Sequence, residues 1–446
     1  MSKIVKNSAA GWSASLALIF IGGLLTCKPA VDRPYLAAAE KAAAWIRSTE
    51  IRSPYGLSWP AVPKDSASVA LNLYSGTPGV VLFFIQAYHA TGQGTYLRDA
   101  REGADFLLAK MPGVDGAGLY EGLSGVAFAL EEAYRASGDE KYRQGFLACL
   151  GRIKAAAVEV GAGVEWGSTT DIISGNAGTG LFLIYASRET KDRTWLKLAV
   201  RAGARLVELG RSENGGLKWA MEPDFPRLMP NFSHGTAGIA YFLAALYKET
   251  KDKKFLDASL AGAKYLLSVA KTEGDSCLIF HDEPDNRDLY YLGWCHGPVG
   301  TARLFYLLSE VTGDTSWIGW VRRFANAIVE SGIPEKETPG FWNNAGICCG
   351  LAGVGEFFLD LYQALGDRSY LEFSKRVSSR LLGKASTENG RMSWVQAEHR
   401  TRPDYLFAQT GYMQGAAGIG TFLLRLDAAG RAKTRRIVLP DTPFSR

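Results

Sequence analysis

Three of the six cysteines stand one or two residues before glycines of a recurring pattern: Cys295 in Trp294-Cys295-His296-Gly297, and the vicinal pair in Cys348-Cys349-Gly350. Thiolate sulfur is a soft ligand that suits Zn2+, and three protein ligands with an open fourth position form the pattern of a catalytic zinc site. Cys295 and Cys348 are separated by 53 residues of sequence (348 − 295), so only a fold that gathers the glycine steps at one end brings these thiols together. Two blander readings compete: buried cysteines serve as small hydrophobes, and in an exported protein they pair as disulfides. Adjacent cysteines bridge each other only with strain, and such a bridge leaves Cys295 over. Cys149 falls in a polar-faced helix and Cys277 in a connecting segment, where both read as packing residues. His234 in Ser233-His234-Gly235 and His296 stand one residue before a glycine step, and Asp171 in Asp171-Ile172-Ile173-Ser174-Gly175 four residues before one. Taken alone, such a histidine is a capping or hydrogen-bonding residue, and such an aspartate favours a helix N-terminus.

The elements that must position these groups repeat seven times. A Gly-x-x-Gly step followed by an apolar stretch begins at Gly76 (GTPGVVLFFIQAY), Gly122 (GLSGVAFALEEAY), Gly175 (GNAGTGLFLIYA), Gly235 (GTAGIAYFLAALY), Gly297 (GPVGTARLFYLL), Gly350 (GLAGVGEFFLDLY) and Gly415 (GAAGIGTFLLRL). Between the copies lie amphipathic stretches at 96–108, 142–153, 195–209, 255–269, 317–329 and 370–382, apolar at three- and four-residue spacing and charged on the other side. The motif helices are apolar almost all round, so protein surrounds them. The pattern predicts an all-α fold, an (α/α) toroid or barrel of seven helical-hairpin repeats with inner and outer helix rings. The motif glycines let the backbone turn sharply and approach its neighbours.

Fifty glycines in 446 residues exceed the average near 7% because they concentrate in these motifs. An apolar fraction of 47% with 21% charged residues is ordinary for a globular chain. The formal charge of +5 is spread out, with no basic and aromatic cluster of the kind that binds nucleic acid. Residues 1–27 read as a signal peptide: Lys3 and Lys6 precede an apolar run, Leu16 to Leu25, that is short of the ~20 residues of a membrane span. Leu24-Leu25-Thr26-Cys27 is similar to a lipoprotein acylation site, with Thr26 as a departure. Residues 28–430 then form one catalytic domain and 431–446 a basic C-terminal tail, in which the cluster from Arg431 to Arg436 reads as solvated. The chain is expected to be exported and periplasmic or anchored to the cell envelope, with a cytoplasmic location as the alternative.

The seven glycine steps, the Trp-Cys-x-Gly step and the Cys-x-Gly step together resemble the lanthionine synthetase C-like family over nearly the whole chain after the leader. That resemblance implies a zinc site at Cys295, Cys348 and Cys349, where the family usually has two cysteines and a histidine; Cys349 replaces the histidine, as in some members. It also implies that His234 is the catalytic histidine and Asp171 its acidic partner. Two positions depart: Tyr291 stands where the family commonly has arginine, and His296 where it often has tyrosine. His296 is thus a candidate acid or base beside the metal. The implied reaction adds a zinc-activated cysteine thiolate to the β-carbon of a dehydroalanine or dehydrobutyrine. His234 then protonates the α-carbon, and Asp171 orients it or accepts the thiol proton. The third thiolate adds one unit of negative charge and predicts a more nucleophilic site. The partners implied are a peptide or small-thiol substrate and a separate dehydratase, a cytoplasmic setting that conflicts with the export signal.

Two other functions fit parts of the pattern. An α/α-toroid carbohydrate enzyme would use paired carboxylates at the axis and tryptophans such as Trp166, Trp219, Trp342 and Trp394 as sugar platforms, although Asp171 and Glu121 are the only acidic residues near the glycine steps. A surface-anchored scaffold would hold its zinc purely for structure.

Overall fold

The computed structural model describes residues 33–225, 227–429, 431 and 435–444. The expected signal peptide and Cys27 lie outside the described residues. In chain order the helices are α1 (Pro34–Arg47), α2 (Thr77–Thr91), α3 (Gly94–Lys110), α4 (Leu123–Ser137), α5 (Glu140–Ala155), α6 (Asn176–Thr190), α7 (Arg193–Leu209), α8 (Thr236–Thr250), α9 (Lys253–Ser268), α10 (Pro298–Thr312), α11 (Ser316–Glu330), α12 (Leu351–Leu365), α13 (Arg368–Gly383) and α14 (Ala416–Ala428). None of the helices among the described residues is long and apolar enough to cross a membrane.

The even-numbered helices grow from the seven glycine steps and form the inner ring, and α14 returns to α2 to close it. Their first nine to twelve residues are buried, as from Asn176 to Ile184 in α6, with Glu356 in α12 a half-buried exception. Outer helices bury one stripe, as α7 does with Leu196, Ala199, Ala202, Gly203 and Leu206. The turn from inner to outer helix is abrupt. Gly138, Lys191, Lys251 and Gly366 take left-handed backbone at the inner C-termini. Asp139, Asp192, Asp252 and Asp367 follow immediately as N-caps of the outer helices, each accepting a backbone N–H. Among the described residues, six hairpins are contiguous in sequence. The seventh inner helix, α14, takes its outer partner from the other end of the described chain, α1.

Six two-stranded antiparallel ribbons punctuate the helices: β1 (Ile51–Ser53) with β2 (Gly56–Ser58), β3 (Val158–Val160) with β4 (Gly163–Glu165), β5 (Arg211–Glu213) with β6 (Gly216–Lys218), β7 (Lys271–Glu273) with β8 (Ser276–Leu278), β9 (Ser386–Glu388) with β10 (Arg391–Ser393), and β11 (Val395–Ala397) with β12 (Leu406–Ala408). An all-helical reading misses them because three-residue strands carry too little alternation to register. Trp166, Trp219 and Trp394 directly follow β4, β6 and β10, and their indole N–H groups donate to Ile153, Leu206 and Leu381 carbonyls in the preceding outer helices at 2.6, 2.6 and 2.9 Å. They are struts that pin ribbon to helix. Of the four tryptophans considered as sugar platforms, only Trp342 faces the cavity described below.

Beyond the basic cluster, the C-terminal residues pack into the interior. Asp441 is fully buried and accepts from Arg303 Nη1 at 2.7 Å and from the Tyr120 hydroxyl at 3.1 Å. Ile437 N–H donates to Gln86 Oε1 at 2.9 Å, Arg436 reaches Asp360 at 3.1 Å, and the Phe444 ring lies 4.6 Å from Tyr306. The cause is charge on the inner helices: a buried Arg303 needs a desolvated counter-ion, and the tail carries it in.

Candidate metal and acid–base centre

Two residues before each motif glycine stand Tyr74, Tyr120, Ile173, Ser233, Cys295, Cys348 and Met413. The turns holding them are stitched into a closed circuit of backbone hydrogen bonds. Tyr74 N–H donates to Tyr120 O (3.1 Å), Tyr120 to Ile173 (2.9 Å), Ile172 to Ser233 (3.1 Å), Ser233 to Cys295 (2.9 Å), Trp294 to Cys348 (2.8 Å), Cys348 to Met413 (2.8 Å) and Met413 back to Tyr74 (2.8 Å). The motif glycines allow this crowding: a Cβ at Gly300 would meet Trp294 O at 2.0 Å and Phe232 Cβ, one repeat back, at 2.6 Å. The two ring positions just ahead of each glycine therefore face one axis, and chemistry placed there converges.

Cys295 and Cys348 occupy the first of those positions and Cys349 the second. Their sulfurs lie within 4.8 Å of one another, with Cys295–Cys349 at 3.2 Å and Cys349–Cys348 at 3.5 Å. All three side chains are buried, and every cysteine among the described residues is a free thiol. A tetrahedral zinc with Zn–S bonds near 2.3 Å spaces its sulfurs by about 3.8 Å, so this donor set fits zinc in both chemistry and spacing. Hydrogen bonds from the Cys295 and Cys349 thiols hold Cys348 well below the ordinary thiol range. The Tyr74 hydroxyl also bonds Cys348, and Gln414 Nε2 donates to Tyr74 at 3.2 Å and to Cys349 Sγ at 3.8 Å. Cys149 and Cys277, by contrast, are isolated in apolar packing that pushes each thiol up to about 12.

His234 stands in the same register and is held by Asp171: His234 Nδ1 meets Asp171 Oδ2 at 2.5 Å. The aspartate is fixed in turn, because its Oδ1 accepts from the Ser174 and Gly175 amides at 2.9 Å each. Burial alone would depress His234, but the hydrogen bond and charge of Asp171 outweigh it and leave the imidazole above its ordinary range. His296 sits with its ring centre 5.5 Å from that of His234, its Nδ1 buried without a hydrogen-bond partner among the described residues. Burial, with His281 and His234 nearby, keeps it well below the usual histidine range.

These groups line two cavities that share Tyr74, His234, Cys295, Cys348 and Glu398. One, of about 460 Å3, runs past Asp171, Glu121 and Glu222. The other, of about 230 Å3, runs past Cys349, His296, Tyr291, Trp342 and Gln414. All six residues singled out from the sequence, Asp171, His234, Cys295, His296, Cys348 and Cys349, are thus brought together. Sequence reasoning missed His281, His399 and Arg400, which also line the smaller cavity. Histidine is scarce in this chain, five in all, and four of them meet at this one place; that scarcity was the available signal. The fifth, His89, lies near the end of α2.

A closed double ring of helices with a buried thiol cluster and a histidine–carboxylate pair at the start of its inner helices defines an α/α toroid with a candidate metal centre. The chain belongs to the family of lanthionine synthetase C-like proteins, whose pattern it matches over residues 67–439. Among solved structures it is similar to nisin cyclase, with a TM-score of 0.61 and 16% identity over 89% of this chain and 94% of that one. It is also similar to an inactive variant of the α-1,6-mannanase GH76A of Salegentibacter sp. HEL1_6, with a TM-score of 0.50 and 12% identity over 89% of this chain and 99% of that one. At these identities the likeness is one of fold.

Proposed function

We propose that this protein is a zinc-dependent thioether-forming enzyme that joins a cysteine thiol to a dehydroalanine or dehydrobutyrine residue of a peptide. The observation that carries the reading is the convergence of Cys295, Cys348 and Cys349 within 4.8 Å on a cavity that also presents the His234–Asp171 pair. Zinc held by these three thiolates supplies acidity, lowering the pKa of an incoming thiol toward neutrality.

The remaining work falls to side chains. The substrate sulfur bonds to the β-carbon, the π pair moves toward the α-carbon and its carbonyl, and a proton must reach the α-carbon. With Nδ1 tied to Asp171, His234 offers Nε2 as the donor, and the hydrogen bond and charge of Asp171 shift it toward the protonated, donating form. Asp171, locked by two backbone amides, orients the ring. Two cavity lobes meeting at the thiols give separate room for the nucleophilic and the electrophilic parts of one peptide. The dehydro residue is supplied by a separate dehydratase. Export, with Cys27 as a lipid attachment point, belongs to the same proposal and rests on residues 1–27 alone; mass spectrometry of the mature N-terminus tests it.

The deciding experiment incubates the purified protein with a peptide carrying one cysteine and one dehydroalanine, following loss of the alkylatable thiol, beside a zinc assay of wild type and Cys295→Ala. The expected result is one zinc per chain and thioether formation, both lost in the variant. Zinc retained with no thioether formed would favour a structural scaffold, and the absence of zinc with activity on oligosaccharides would favour a carbohydrate enzyme.

A further inference from the structure

A second histidine–carboxylate pair stands in the smaller cavity, and no step above uses it. His281 Nδ1 meets Asp282 Oδ2 at 2.7 Å. Asp282 is held in place by Asn286, whose Nδ2 donates to Oδ1 at 2.8 Å and to Oδ2 at 3.1 Å. The carboxylate is 1% exposed and the imidazole 16%, so the pair is desolvated except where His281 borders the cavity. The loop that carries it is anchored by the His281 amide, which donates to Leu289 O at 2.7 Å. Since Nδ1 is engaged by Asp282, Nε2 is the nitrogen left for a ligand.

The surroundings place this nitrogen in the reaction space. The His281 ring centre lies 4.3 Å from that of His296, the residue after Cys295, and 4.3 Å from that of Tyr291. His296 in turn lies 5.5 Å from His234. Three imidazoles therefore run in a row beside the thiol cluster, with a buried aspartate at each end, Asp171 on His234 and Asp282 on His281.

Resting on the thioether-forming reading, we propose that His281 and Asp282 form a second acid–base pair of the reaction, in which His281 Nε2 takes the proton shed by the incoming thiol. The balance closes: the S–H proton passes to His281, the sulfur bonds to the β-carbon, the π pair moves to the α-carbon, and His234 supplies the proton that the α-carbon gains. One proton crosses the cavity per turnover, and exchange with solvent returns both histidines to their starting states. The groups facing His281 agree with the assignment. Burial depresses it, Asp282 opposes that, Arg400 and Arg227 reinforce it, and the net shift is downward. The environment thus favours the neutral, accepting form of His281, while Asp171 shifts His234 in the opposite direction. Environments that push two titrating groups apart divide the acid from the base. His296 and Tyr291 are ring neighbours that also titrate, and Glu398 and His399 line the same cavity.

The test compares zinc-loaded wild type, His281→Gln, Asp282→Asn and His281→Ala on the cysteine–dehydroalanine peptide across pH 5 to 9. We expect His281→Gln to hold zinc as wild type does and to lose about 100-fold or more in rate, the usual contribution of a general base. Its rate should no longer show the wild-type decline on the acid side. Asp282→Asn moves that decline to lower pH, because the carboxylate that raises His281 is gone, and added imidazole partly restores His281→Ala. A purely structural role would move neither the acid limb nor the imidazole response. Wild-type rates with an unchanged acid limb in both His281→Gln and Asp282→Asn overturn the proposal. A zinc-bound wild type that forms no thioether overturns the underlying function and this inference with it.

Discussion

Gly293 touches the next cysteine loop: a Cβ placed on it would stand 2.7 Å from the Cys348 carbonyl oxygen and 2.8 Å from Cys349 Cα. The loop bearing Cys295 reaches the loop bearing Cys348 and Cys349 only because position 293 has no side chain. Gly293→Ala is therefore expected to cost about 1–3 kcal/mol through overpacking and to weaken zinc retention more than overall folding. Gly319 in α11 has open space around it, and Gly319→Ala should leave zinc untouched and stabilise the helix by up to about 1 kcal/mol. Zinc competition with a chelator, set beside denaturant melts of both variants, checks the contrast.

Cys349→His restores a neutral ligand at the third position. With one thiolate fewer, less electron density reaches a bound substrate sulfur, so the variant should keep zinc while forming thioethers more slowly and over a narrower range of peptides. An unchanged rate and range, measured on a small panel of cysteine and dehydroalanine peptides, would remove the argument from the extra thiolate.

Asp171 raises His234 above its ordinary value of 6.5. A raised histidine stabilises the fold below that value, and the contribution is lost as pH rises through the folded-state pKa. In Asp171→Asn the His234 resonance should titrate at lower pH by NMR. The stability gap to wild type should be widest below pH 6.5 and should narrow above the wild-type pKa of His234. Thioether formation at neutral pH should fall by about 100-fold or more, since the donor is then mostly neutral. The asparagine still offers an Oδ1 to the Ser174 and Gly175 amides, so the turn itself is spared.

Asp441→Ala leaves Arg303, 8% exposed in its side chain, without its carboxylate. Breaking a buried pair from one side costs about 3–5 kcal/mol, and a urea melt should show a loss of that order. Because Trp294 packs over Arg303 and precedes Cys295, zinc retention should fall as well. A solvated tail would predict no change in either measurement.

The glycine steps were legible because a repeated local demand, a tight turn into an apolar helix, leaves a repeated local spelling. Cys295, Cys348, Cys349, His234 and His296 could be picked out since they hold equivalent phases of that spelling. The ribbons after the outer helices were not, being too short to show alternation, and Trp166, Trp219 and Trp394, sugar platforms under the carbohydrate alternative, have their indoles bonded to outer-helix carbonyls. His281, His399 and Arg400 sit on loops with no fixed phase in the repeat.

By itself the sequence determined the inner helices, their common starting end and the residue types set there, because backbone preference and apolar periodicity act over a few residues. Ring closure decided the rest. It placed Gln414 against Tyr74 across 340 residues, gave α14 its partner in α1 and drew Asp441 into the interior. Such contacts depend on which surfaces remain unburied once the local pieces have formed, and no short window of sequence carries that information.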